Sequence, residues 1–246
     1  MALPDQLKDF GRAPLRWIKA HKILSVGLLI LLWILTEIAT LPYGAVGRLK
    51  KSNPSETALM KERGDQERGQ GKAFKIRQRW VSLGSISKDL VKAVIVAEDG
   101  TFWSHEGFDW YEFRESVERD IKEGRAARGA STITQQLVKN VFLSSSKNPL
   151  RKLKEWILTW YMERVLSKSR ILELYLNVIE WGNGIYGAEA ASVYYFGEPA
   201  SELSREEAAR LAAIIPSPRR FRADEDTRFV TRRSNLILER MAARGY

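Results

Sequence analysis

Glu98 and Asp99 stand at the end of an apolar run, VKAVIVA (91–97), and open the segment EDGTFWSHEGFDW (98–110). A carboxylate delivered by a buried segment is partly desolvated, which favours its neutral form and raises its affinity for a proton. Glu98 can then act as a general base near neutral pH. Asp99 is placed to orient Glu98 or to hold its loop, and Phe102, His105 and Gly107 to shape that loop. Some twenty residues on, GASTITQQLVKN (129–140) concentrates hydroxyls, amides and a lysine, and RKLKE (151–155) adds cations and a second acid. An acid, amides, hydroxyls and cations are packed here more densely than a structural helix needs.

These side chains need helices to carry them. Leu90, Val91, Val94 and Ile95 repeat at helical spacing after Ser87, a predicted N-cap. Trp110, Phe113, Val117 and Ile121 form the predicted apolar face of the next helix. KEGRAARGAS (122–131) breaks the pattern and reads as a mobile loop near the cleft. Ser131 or Thr132 can begin the following helix, with Gln135 downstream. Leu150, Leu153, Ile157, Trp160 and Tyr161 make a further face, residues 171–179 and 188–193 read as helical, and SREEAARLAAII (204–215) is strongly capped. Neither a repeat nor a strand-rich section is present, so the fold is expected to be mainly α.

The chain has 246 residues, 44% of them hydrophobic, enough for one domain with its own core plus a tail. Residues 23–41 are predominantly apolar, and about 20 helical residues cross a bilayer core of roughly 30 Å. This is read as one uncleaved transmembrane helix, since no small-residue cleavage pattern follows it cleanly. Glu37 interrupts it near its end, within reach of the interface or a partner. Five basic residues precede the span (Lys8, Arg12, Arg16, Lys19, Lys22) and Arg48, Lys50 and Lys51 follow it, which favours a cytoplasmic N-terminus. Residues 61–72 are almost without apolar side chains and read as a solvated linker or mobile loop. The expected division is a tail over 1–22, the span over 23–41, a linker and membrane-proximal segment over 42–79, and a domain over 80–246.

The formal charge is +10, but the basic residues are spread along the chain without a nucleic-acid-binding signature, so no nucleic-acid partner is expected. With no cysteine, disulfides, Cys-ligated zinc and thiol catalysis are excluded. SISK (85–88) and SSSK (144–147) match the S-x-x-K of penicillin-binding transpeptidases by chance, since no K-T-G follows.

The ordered blocks ED..F..H.G.D, G.STITQQ..KN, RKLKE, KSRILELYLN (168–177) and GNGIYGAEAASVYYFG (182–197) resemble the five motifs of the peptidoglycan glycosyltransferases, glycosyltransferase family 51, over about 80–221. The monofunctional subgroup fits best, as no transpeptidase domain follows. The resemblance implies a lysozyme-like glycosyltransferase lobe with a smaller membrane-facing lobe, preceded by the transmembrane helix. It implies polymerisation of lipid II into β-1,4-linked glycan strands, with inversion and release of undecaprenyl diphosphate. Its matching positions make Glu98 the general base, Glu155 the second acid that positions a cation or the donor, and Lys139, Arg151 and Lys152 the cations for the diphosphate. Lys147 joins them, standing where some relatives carry Arg. Ser131, Thr132 and Gln136 offer neutral hydrogen bonds to sugar or diphosphate oxygens, with helix capping the alternative for Ser131 and Thr132. Asn177, Gly184 and Gly187 are read as structural.

Mg²⁺ or Mn²⁺ at the substrate diphosphate is a further implication, although no D-x-D pattern is present and His105 has only His21, at the membrane edge, as a fellow histidine. Expected partners are lipid II, the growing lipid-linked strand, membrane lipids and cell-wall synthesis or divisome proteins. The expected location is the bacterial inner membrane, with the catalytic domain periplasmic. Two alternatives remain at this point: a lytic or hydrolytic enzyme, since two acids also suit glycan cleavage, and a non-catalytic cell-wall scaffold.

Overall fold

The computed structural model describes residues 21–123, 131–146 and 148–246, with side chains described for these except 119–123. The helices are α1 (Lys22–Ala39), α2 (Tyr43–Arg48), α3 (Ala58–Gly69), α4 (Lys88–Glu98), α5 (Trp110–Glu123), α6 (Ile133–Phe142), α7 (Pro149–Val165), α8 (Lys168–Val178), α9 (Ala188–Phe196), α10 (Arg205–Ile214) and α11 (Arg228–Ala243). A 3-10 turn (Leu83–Ser85) and three short strands, β1 (Arg77–Gln78), β2 (Glu180–Gly182) and β3 (Ile185–Tyr186), complete the described elements. The fold is mainly α, as the sequence leads one to expect. The chain divides into two units, Met1–Leu41 and Pro42–Tyr246.

In the first unit, α1 is by length and composition able to cross a membrane. Most of its Leu, Ile and Val side chains are exposed, as a lipid-facing surface would be.

In the second unit, two groups of helices flank the catalytic candidates. Ser87 caps α4 by accepting from the Asp89 amide, and Leu90, Ala93, Val94, Ile95 and Val96 bury the helix. α4 packs against α10 and α11, which pack on each other. The Ser204–Glu207 capping box starts α10, whose alanines allow close approach. The other group centres on α6, which contacts α3, α7 and α8. The strands lie in the order β1-β3-β2, with β1 parallel and β2 antiparallel to β3. Gly184 has φ +72°, and a Cβ there would lie 2.5 Å from the Lys75 carbonyl oxygen, so only glycine fits this turn. Asn177 is fully buried and bonds the Val81 amide and carbonyl, which confirms its structural reading.

Three sequence expectations are corrected. The linker expected within 61–72 is mostly helix α3, inside the folded unit. Thr57 caps it, Met60, Gly64 and Glu67 face inward, and ion pairs from Arg63 to Glu180 and from Glu67 to Arg219 dock a segment whose composition alone looks solvated. The stripe on α5 is not a core face: Trp110 is 63% and Phe113 41% exposed. The Trp110 ring meets Phe108, Phe113 and Trp156 at the surface, and Ile121 lies outside the described side chains. On α7 the buried face is Glu155, Leu158, Thr159 and Met162, whereas Leu153 and Trp160 are exposed. Helical spacing identifies an apolar stripe but not what covers it. Of the loop expected over 122–131, residues 124–130 lie outside the described residues.

Candidate active site

Glu98 is the last residue of α4, and its side chain is 11% exposed. Gln136 Nε2 on α6 donates to Oε2 at 2.9 Å, and Arg233 Nη2 on α11 donates to Oε1 at 3.2 Å. Tyr175 on α8 donates its hydroxyl to Gln136 Oε1 at 3.0 Å, so the amide turns its NH₂ toward the acid. Burial pushes the Glu98 carboxyl above its ordinary value, opposed by Gln136 and Arg233 and reinforced by Asp99. Burial also holds the Tyr175 phenol well above its ordinary value, so it stays a donor.

Asp99 does not share this task. Its Oδ1 lies 2.8 Å from His105 Nε2, and its Oδ2 accepts from the amide of Ile133, the first residue of α6. His105 Nδ1 accepts from the Gly107 amide, which places the ring proton on Nε2 toward Asp99. Thr132 donates its hydroxyl to the Gly107 carbonyl and caps α6 in a box with Gln135. Gly107 has φ +91°, with Thr159 and Glu163 each 2.9 Å from where a Cβ would stand. Phe102 is fully buried beneath this turn and packs edge-on to His105. Asp99, Phe102, His105 and Thr132 therefore fix the turn after Glu98, and the Thr132 hydroxyl is spent on the protein.

Glu155, 2% exposed on α7, holds a second charge cluster. Arg151 Nη1 donates to it at 2.6 Å and Lys152 Nζ to its other oxygen. Arg151 Nε also donates to the Ser146 carbonyl at 2.6 Å, which fixes the guanidinium to the loop before α7. Lys139, on α6 one turn beyond Gln136, is an exposed residue whose ammonium is nonetheless partly desolvated by neighbouring protein. Desolvation lowers its pKa, with Glu155 pulling it up, Arg151 and Lys152 pushing it down, and Glu98 pulling it up. Its ammonium thus stands where both acids and both neighbouring cations act on it. Lys147 lies outside the described residues.

A cavity of about 470 Å³ opens beside Glu98, lined also by Gly100, Ser131, Arg240 and Arg244. Arg244 Nη1 donates to the Gly100 carbonyl at 2.6 Å and so holds the turn from the α11 side. Among the described residues no group of three or more His, Cys, Asp or Glu side chains converges as a metal cage. Both Glu155 oxygens are taken by cations and both Glu98 oxygens by donors. Among the described contacts, no oxygen of Glu98 or Glu155 is thus left without a donor.

The structure brings Glu98 and Ser131 to one cavity, with Gln136 bonded to Glu98 behind it, and joins Arg151, Lys152 and Glu155 in a second group, with Lys139 under the influence of both acids. Sequence reasoning missed Arg233, Tyr175 and Arg244. The signal for Arg233 is faint: it precedes Ser234 in a stripe of Val230, Ser234, Ile237 and Met241 on a helix dense in arginine.

Comparison with known proteins follows the same outline. The family model described as Transglycosylase matches residues 67–242. A biosynthetic peptidoglycan transglycosylase of Nitrosospira multiformis is 46% identical over 211 residues, covering 86% of this chain and 88% of the relative. One of Laribacter hongkongensis is 41% identical over 229 residues, covering 92% and 97%. One of Aromatoleum aromaticum reaches 50% identity over 169 residues, covering 69% and 74%.

Proposed function

Because the chain belongs to the transglycosylase family, we propose that it polymerises lipid II into β-1,4-linked peptidoglycan strands, with Glu98 as the base and Lys139, Arg151 and Lys152 as the cations for the leaving group. Membership makes it a peptidoglycan glycosyltransferase. The observation that carries the residue roles is the pairing of a desolvated, cavity-facing carboxylate with a separate cation cluster, joined by Lys139.

In this reading Glu98 takes the proton of the acceptor 4-hydroxyl as its oxygen attacks the anomeric carbon of the growing strand. The carbon–oxygen bond to the lipid diphosphate breaks on the opposite side, so the α-linked donor gives a β-linked product. Negative charge builds on the diphosphate, where Lys139, Arg151 and Lys152 stabilise it. Glu155 holds Arg151 and Lys152 in place rather than taking the proton, since both its oxygens are ion-paired. Side chains thus supply counter-charge for the diphosphate.

The apolar helix α1 fits single-pass anchoring, with its basic flank cytoplasmic and the catalytic unit periplasmic at the inner membrane. The exposed rings of Trp110, Tyr111, Phe113, Trp156 and Trp160 suit an interface between protein and lipid, which supports reading α5 and α7 as part of the membrane-facing lobe. Incubation of the purified chain with labelled lipid II, reading out polymer and released undecaprenyl diphosphate, tests the function; absence of both products in folded protein would overturn it.

A further inference from the structure

Arg233 has no part in the steps above, yet it touches the proposed base. It is carried by a helix, not a loop: Val230, Ser234, Ile237 and Met241 anchor α11, which packs on α4 and α10. Its Nη2 lies 3.2 Å from Glu98 Oε1. Its Nε is buried without a partner, an arrangement that costs free energy and that folding alone does not reward.

We propose that Arg233 is a positioning residue for the transfer reaction, keeping the Glu98 carboxylate charged and aimed into the cleft until the hydroxyl arrives. The inference rests on the reading of Glu98 as base. Burial favours the neutral acid, and a neutral acid cannot accept the proton. Gln136 stabilises the carboxylate but carries no charge of its own. Among the described residues, Arg233 is the cation in direct contact with Glu98. A guanidinium is charged throughout the working pH range, so it holds the base without competing for its proton. The contact is through one nitrogen, and the Arg233 side chain is 31% exposed, so the hold is partial and Glu98 keeps its basicity.

The other groups around Glu98 do not replace it. Asp99, next in the chain, opposes ionisation, and Tyr175 on α8 is a neutral phenol. His105 faces Asp99, and Lys139 acts on Glu98 without a hydrogen bond to it among the described contacts. Asp109, Glu112, Arg240 and Arg244 line the cavity beyond the carboxylate. α10 brings Arg205 to Asp89, at the opposite end of α4.

The test is the pH profile of kcat/KM for lipid II, measured on the full chain in detergent, for wild type, Arg233→Gln, Arg233→Met and Arg233→Lys, with Glu98→Gln alongside. The methionine variant keeps the packing of the stem, so a folded neutral variant is at hand if the glutamine variant is unstable. Removing the charge should move the acid limb up by about one pH unit, read as about a tenfold loss on the acid side of the limb and none on the plateau above it. Lysine should restore most of the limb's position. An unmoved limb in the neutral variants, with activity unchanged or scaled equally at every pH, would overturn the inference, as would an equal shift in the lysine variant. Polymer formation by Glu98→Gln would remove the base reading itself, and this inference with it.

Discussion

Tyr175 donates to the carbonyl of Gln136 across 3.0 Å, and that single bond decides which end of the amide faces Glu98. With the carbonyl engaged, the NH₂ points to Glu98 Oε2 at 2.9 Å and favours the carboxylate over the acid.

Gln136→Leu removes the donor that opposes burial, so the pKa of Glu98 should rise further. A base works deprotonated, so activity is lost as pH falls through its pKa, and a higher pKa moves the acid limb upward. The limb should shift by about one pH unit, with a kcat loss approaching about tenfold on its acid side. Tyr175→Phe frees the amide to turn and should shift the limb in the same direction by less. Rate profiles between pH 5 and 9 check both; profiles superimposed on wild type would refute the role of the amide.

The same burial makes a prediction for stability. The pKa of Glu98 is raised on folding, so its contribution is fully present below the ordinary carboxylate value and is lost as pH rises through the raised one. Glutamine has no proton to lose. Glu98→Gln should therefore unfold at a Tm no lower than wild type at pH 7.5, with the comparison turning toward wild type at pH 4. Calorimetry at the two pH values reads this out, and a Tm several degrees lower at pH 7.5 than at pH 4, relative to wild type, would contradict it.

Lys139 is the cation on which both acids act. Lys139→Ala should lower kcat by about 10²-fold, the scale of removing a preorganised charge from a transition state. Lys72→Ala, on an exposed residue of the α3 end, should stay within about twofold, as surface changes usually do. Equal losses in the two variants would show that Lys139 has no privileged position.

Glu155 is predicted to matter for stability as well as turnover. Its carboxylate is 2% exposed and holds Arg151, whose side chain is 19% exposed. Glu155→Ala leaves that guanidinium without its counter-charge and should cost about 3 kcal/mol. Urea denaturation measures it. A variant as stable as wild type would mean that the cluster is organised by other contacts.

The surface rings are predicted to bind lipid. Trp110 and Trp156, 63% and 37% exposed, are neighbours at the junction of α5 and α7. In the full chain, Trp110→Ser with Trp156→Ser should leave the helical signal intact and reduce quenching of the remaining exposed tryptophans by brominated lipid in reconstituted vesicles. Unchanged quenching would place this surface away from the bilayer.

What the sequence revealed followed from what periodicity and motif order encode. Ser87, Thr132 and Ser204 are caps in the structure because a side-chain oxygen can meet free amides only at a helix start. Glu98 was legible because an apolar run delivers it, and Gln136 because it sits in a dense polar segment, although its partner proved to be the acid. For Thr132 the sequence leaves substrate contact and helix capping open; its hydroxyl caps α6 and closes the turn at Gly107, a use that spacing cannot distinguish from ligand binding. Arg233 was not legible, since 135 residues separate it from Glu98 and only the packing of α11 on α4 brings them together. For the same reason α3 looked like a linker: Glu67 and Arg63 find their partners, Arg219 and Glu180, more than a hundred residues away.

The most direct measurement is polymerisation of labelled lipid II by the wild-type chain and by Glu98→Gln, reading polymer and released undecaprenyl diphosphate together. The account predicts both products from wild type and neither from the variant, with the variant folded. Polymer from Glu98→Gln at a rate near wild type would contradict it, as would a folded wild type that shortens preformed glycan and makes no polymer.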